Sequence, residues 1–163
     1  MHKKTLLHKR VGKLQKHHDA LCNYHALIMD FTEHTNIFIP ENFKNLTIEQ
    51  QAILDAYLKR FASLQDYLGA KIFPLILEMA GIGSRKMSEI LYIAEREEII
   101  DSIGNWIELR EIRNELEHEY PDTIEQALLD LKFCIEHFDT LDRYYRNTLG
   151  FIQRELHETF RTA

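Results

Sequence analysis

Apolar residues recur every three or four positions along most of this chain, and very little interrupts them. Only three prolines and six glycines occur in 163 residues, and the first proline is Pro40. Leu7, Val11, Leu14, Leu21, Tyr24 and Ile28 form one stripe, which predicts a helix over about 4–28. Thr47-Ile48-Glu49-Gln50 has the form of a capping box and predicts a helix start. Leu54, Tyr57, Leu58, Phe61, Leu64, Leu68 and Ile72 continue from it on one face. Pro74 lacks a backbone donor and crowds the preceding turn, so it should kink or end that helix. Gly81-Ile82-Gly83 is a break, and a short helix follows over about 84–95.

A further helix is expected over about 102–117, capped by Asp101 or Ser102. Asp122-Thr123-Ile124-Glu125 then caps a last helix, on which Ile124, Ala127, Leu131, Cys134, Phe138, Leu141, Tyr145 and Ile152 hold helical spacing for roughly eight turns. Residues 30–46 carry no period and read as a loop. No segment alternates as a strand does. The expectation is one all-α domain over 1–163, an antiparallel four-helix bundle with an additional short helix.

Charge is unevenly placed. Residues 1–20 have six Lys/Arg against Asp19, a balance of +5, which leaves −11 on the rest of a chain of net charge −6. An acidic whole argues against broad, tight binding of a duplex. The basic first helix reads as a solvated face or as a local strip that guides a single strand. Cys22 and Cys134 lie within apolar helical patterns and read as buried thiols of a reducing cytosol. No apolar run approaches the ~20 residues of a membrane span, and the basic N-terminus leads into a polar stretch unlike a secretory signal. No C-x-x-C pair or phosphate loop is present, and His17-His18 offers no helical spacing read as a metal site. No metal and no cofactor are therefore expected.

The stretch Arg113-Asn114-Glu115-Leu116-Glu117-His118-Glu119-Tyr120, followed by Pro121, is where chemistry concentrates. It reads R-N-x3-H-x-Y-P. On a helical wheel Arg113 falls among Trp106, Leu109 and Leu116, so a guanidinium lies within an apolar stripe. A buried unpaired charge is costly, so Arg113 must pair with another group, tie two helices together or line a groove. Gln65 occupies a comparable place among Phe61, Leu64 and Leu68. His118 follows Arg113 by five residues, about 140° away in an unbroken helix. Pro121 disfavours helix at Tyr120, so the last turn is expected to open and bring His118 round. Asn114 could orient His118 or contact a ligand, or be a surface amide. Tyr120 could hold a base or phosphate, or anchor the turn. Glu115, Glu117 and Glu119 are expected to face solvent.

At these residues the chain resembles the HEPN family of small helical nucleotide-binding and RNA-cleaving domains. Arg113, Asn114, His118 and Tyr120 match the R-N-x3-H-x-Y motif of its HepT-type toxins and their substrate-binding relatives without a gap. Trp106 precedes the motif by seven residues, and Arg60 with Phe61 to Phe73 resembles the family's second helix. The likeness covers about 50–147. It implies a homodimer with two motifs facing one cleft, acting in the cytoplasm as a metal-independent endoribonuclease. His118 would take the proton of the RNA 2′-OH, and Arg113 would stabilise charge on the phosphate. It also implies the toxin of a toxin–antitoxin pair whose small nucleotidyltransferase antitoxin adds AMP to Tyr120. The alternative is a non-catalytic subunit that binds nucleotide or substrate for a nucleotidyltransferase.

Overall fold

The computed structural model describes residues 2–117, the backbone of residue 118, and residues 123–161. Among them helix is the only regular structure, with no strand. The elements are α1 (His2–Thr32), α2 (Pro40–Lys44), α3 (Ile48–Tyr67), a π turn (Leu68–Ile72), α4 (Phe73–Met79), α5 (Met87–Arg96), α6 (Ile103–His118), α7 (Ile124–Glu136) and α8 (Phe138–Leu156).

The predicted capping box is present. The Thr47 hydroxyl accepts from the Gln50 amide at 3.1 Å, and the Gln50 side chain accepts from the Thr47 amide at 3.0 Å. α6 is capped by Ser102, whose Oγ accepts from the Asn105 amide at 3.0 Å. Thr123 caps α7 through the Gln126 amide.

Two expectations need correction and a third is narrowed. Residues 30–46 contain the short α2, because Pro40 sits in the first turn, where no amide is needed and its φ already suits a helix. The expectation that Pro74 kinks or ends its helix narrows to a local interruption. Just before it the ladder slips by one residue, with the Phe73 amide donating to the Leu68 carbonyl, and helix resumes to Met79. The helix stops instead at Ala80. There Gly81 takes φ +79°, its amide reaches Glu78, and the Ile82 amide reaches Leu77, closing a Schellman turn. Lastly, the long final helix is two helices. His137 leaves helical geometry at φ −94°, ψ 16°, and its ring Nδ1 bonds the Phe133 carbonyl at 2.8 Å, satisfying the end of α7.

Cross-helix pairs fix the directions. Lys3 meets Glu78, Arg10 meets the Lys71 carbonyl, His17 meets Arg60 and His25 meets Tyr57, so α1 runs antiparallel to the α3–α4 rod. His8 meets Phe160, His18 meets Tyr145 and His25 meets Phe138, so α1 is also antiparallel to α8. α6 packs on α3 and α7. The result is a helical bundle with α2 and α5 as short additions. Its core joins Leu7, Val11, Leu14, Leu21 and Ile28 to Tyr57, Phe61, Leu64, Trp106, Leu141, Tyr145 and Ile152. Trp106 is central: its ring contacts Phe73 and Tyr144, and the absent side chain of Gly69 makes room for it, since a Cβ there would lie 3.0 Å from the indole.

Candidate functional site

Arg113 is buried, as the wheel predicts, with 3% of its surface exposed. Its guanidinium is bracketed on three sides. Nε donates to Gln65 Oε1 at 2.9 Å, Nη1 donates to Asn114 Oδ1 at 3.1 Å, and Nη2 donates to Asp66 Oδ1. Gln65, itself 1% exposed, donates from Nε2 to the Trp106 carbonyl at 2.8 Å. A polar chain therefore crosses an apolar interface from α6 through α3 and back to α6. Each buried group in it has a partner, which is what permits a charge at this depth.

The two ends of the ion pair differ. The Arg113 side chain is 4% exposed, while that of Asp66 is 64% exposed. One Arg113 nitrogen thus reaches the edge of the bundle, where a carboxylate meets it. Asp66 was not picked out from the sequence. Its position beside Gln65, a polar residue in the apolar stripe of its helix as Arg113 is in its own, is the signal that points to it.

Asn114 is exposed and serves Arg113 through its side-chain oxygen. Backbone helix continues through His118, so α6 has not opened by that residue. The side chain of His118, and all of Tyr120 and Pro121, lie outside the described residues, as does Glu119. Glu115 faces solvent as expected. Glu117 is instead half-buried, because the last turn of α6 packs beside α7, and it lines an open groove of about 590 Å³ between α3 and α7. That groove is mostly apolar, with Leu54, Leu58, Leu116, Leu128 and Leu131, and Arg113 does not line it.

A second surface concentrates charge. Lys9, Arg10, Lys13 and Lys16 of α1 and Lys71 of the π turn line a groove of about 670 Å³ with Tyr67, and none of its lining residues is acidic. Lys13 Nζ sits 5.9 Å from the Tyr67 ring centre. His17 also packs on that tyrosine, with ring centres 5.7 Å apart, and accepts from Arg60 Nη1 at 3.1 Å. Burial, then Arg60 and Lys13, hold the His17 pKa below its ordinary value, so the imidazole favours the neutral form. Among the described residues Lys9, Lys13, Lys16 and Lys71 form no ion pair.

Both cysteines are free thiols. Cys134 is buried and Cys22 half-buried. Burial, then neighbouring carboxylates, push their pKa values up, Cys22 to about 11 and Cys134 to about 12. No helix among the described residues is long and apolar enough to cross a membrane. Comparison with protein-family models, with curated proteins and with solved structures gives no match.

Proposed function

We propose that this chain is a HEPN-type protein acting on RNA: a metal-independent endoribonuclease of the cytoplasm, the toxin of a pair with a nucleotidyltransferase antitoxin. It works as a homodimer and needs no cofactor. His118 removes the 2′-OH proton, and Arg113 stabilises the phosphate as it becomes more negative. Asn114 orients Arg113. Tyr120 supports the substrate and is the residue that would receive AMP.

One observation carries this reading. The exposed Asp66 carboxylate occupies the outer end of a buried guanidinium. Carboxylate and phosphate are both recognised by arginine through parallel N–H···O bonds. Asp66 therefore stands where an RNA phosphate would bind, and solvent lets it turn away. The acid-free groove of α1 begins at Tyr67, the next residue along α3, and supplies cations for an approaching strand.

The test is cleavage of RNA by the full chain in a chelator, with Arg113→Lys and His118→Ala alongside. Wild type should cut RNA, and His118→Ala should lose at least about a hundredfold, the usual contribution of a proton-transfer group. Equal cutting by wild type and both variants would remove the catalytic assignment.

The depth of Arg113 favours a second reading. With three side-chain bonds already made, it resembles a cross-link between helices, which fits a non-catalytic subunit that binds nucleotide or substrate for a nucleotidyltransferase. That reading expects nucleotide to raise the unfolding temperature, with no RNA cleavage.

A further inference from the structure

Three ligand-type side chains converge between α1 and α8. We infer that His18, Cys22 and Asp142 form a binding site for a borderline-soft divalent transition ion of the zinc class. His18 and Cys22 are four residues apart on α1, and Asp142 comes from α8. One ligand atom from each lies within 4.8 Å of the other two.

The way the atoms meet separates this site from other uses of the same residues. Asp142 Oδ1 lies 2.6 Å from His18 Nε2, and Cys22 Sγ lies 3.5 Å from that same nitrogen and 3.9 Å from Nδ1. A cysteine nucleophile activated by a His–Asp pair needs the imidazole between the other two, with the thiol on one ring nitrogen and the carboxylate on the other. Here the carboxylate and the nearer approach of the sulfur are both at Nε2, so the imidazole does not stand between them. Zinc bond lengths place tetrahedral N, O and S ligands about 3.4–3.6 Å apart. The sulfur–Nε2 separation already fits, but the thiol must swing outward from Nδ1, and the nitrogen–oxygen pair needs to open by about 0.8 Å on that same geometry.

Surrounding groups hold the set. His18 is 2% exposed and stacks on Tyr145 at 3.7 Å and 6°, which fixes its ring plane. Arg146 Nε binds Asp142 Oδ2 at 2.9 Å, turning Oδ1 towards His18. Such outer contacts are what orient ligands at metal sites. Cys22 and Asp142 are each only half-buried, leaving a side from which water can complete four-coordination.

Protons and charge balance. The ion displaces the Cys22 thiol proton to solvent, and the imidazole moves its proton from Nε2 to Nδ1. One thiolate and one carboxylate then neutralise the two positive charges. The bound ion would clip the basic α1 to α8, independently of Arg113 and of any action on RNA.

Cobalt(II) reports this directly, because thiolate ligation gives a charge-transfer absorption and tetrahedral geometry gives intense visible bands. Titration of the full chain should show one ion per chain with both features, displaced by zinc. Cys22→Ser should lose the charge-transfer absorption and weaken binding at least about tenfold, while Cys134→Ala should keep both. Asp142→Asn should keep the thiolate absorption but bind more weakly. Circular dichroism confirms that each variant is folded. A folded wild type without thiolate absorption, or a Cys22→Ser chain that binds as tightly as wild type, would overturn the assignment.

Discussion

Arg113 on α6 donates from Nε to Gln65 Oε1 on α3, 2.9 Å away, and both residues are almost wholly buried. Replacing Gln65 with Leu keeps much of the volume but removes the acceptor for a charged donor and the donor for the Trp106 carbonyl. The expected cost is about 2–3 kcal/mol, from leaving buried polar groups unpaired. Gln65→Leu combined with Arg113→Met should lose less than the sum of the two single changes, because the second change removes the orphaned charge. Urea unfolding of the four chains measures the coupling, and strict additivity would mean that the bond contributes no coupling.

Asp66 binds the same guanidinium from the solvent side. An exposed carboxylate adds little stability, so Asp66→Ala should change unfolding free energy by less than about 1 kcal/mol. It should nonetheless free Arg113 Nη2 for an anion. The expected outcome is tighter binding of a short RNA, read by fluorescence anisotropy. Unchanged or weaker binding would show that no phosphate competes for this position.

Local chemistry was legible in the sequence wherever neighbouring residues decide it. The Thr47 and Gln50 box, the Ser102 cap and the apolar stripes depend on spacing alone, and so do the places of Gln65 and Arg113 within their own stripes; that the two meet came only from the structure. The split between α7 and α8 was hidden because the stripe through Cys134, Phe138 and Leu141 keeps its period across the break. Only the ring of His137, turned onto its own helix, marks it. The π turn likewise answers Pro74 by a one-residue slip that leaves the apolar pattern intact. His18 with Asp142 spans 124 residues, so His17-His18 on a wheel offers no sign of it. Asp66 fell between these cases, since it lies off the stripe but at the edge where Arg113 emerges.

Gly83 makes a packing prediction. A Cβ there would lie 2.9 Å from the Glu78 amide nitrogen and 3.0 Å from its Cα, both backbone atoms that cannot step aside. Gly83→Ala should therefore destabilise by about 1–3 kcal/mol, the usual range for forced overpacking. Gly150, within α8, has nothing within 4 Å of its would-be Cβ. Gly150→Ala should stabilise by about 0.5–1 kcal/mol through helix propensity. Opposite shifts in the thermal midpoint check the pair.

His25 stacks on Phe138 at 3.9 Å, beside the break between α7 and α8. Burial lowers its pKa from an ordinary value of 6.5, and Asp139 only partly opposes this. A lowered histidine pKa means that the unfolded chain binds the proton more readily. Its contribution is full above about pH 6.5 and is lost as pH falls through that value towards the folded pKa. His25→Phe keeps a stacked ring but cannot titrate, so the fall in thermal midpoint between about pH 7.5 and 5.5 should be shallower than in wild type. Parallel profiles would show that His25 does not carry the acid sensitivity.

The groove between α1 and the π turn gives the last prediction. Lys13 and Lys16 line it without a carboxylate partner among the described residues, whereas Lys3, also on α1, pairs with Glu78 at 3.0 Å. Binding of a single strand releases counterions in proportion to the phosphates neutralised, with about 0.7 unit of log–log salt slope per contact. Lys13→Glu with Lys16→Glu should weaken RNA binding and flatten the slope by about 1.4 units, two contacts' worth. Lys3→Glu adds the same kind of negative charge to the same helix, outside the residues that line the groove. It should leave the slope close to wild type. If Lys3→Glu flattens the slope as much as the double change, the binding follows net charge alone and the groove has no special role.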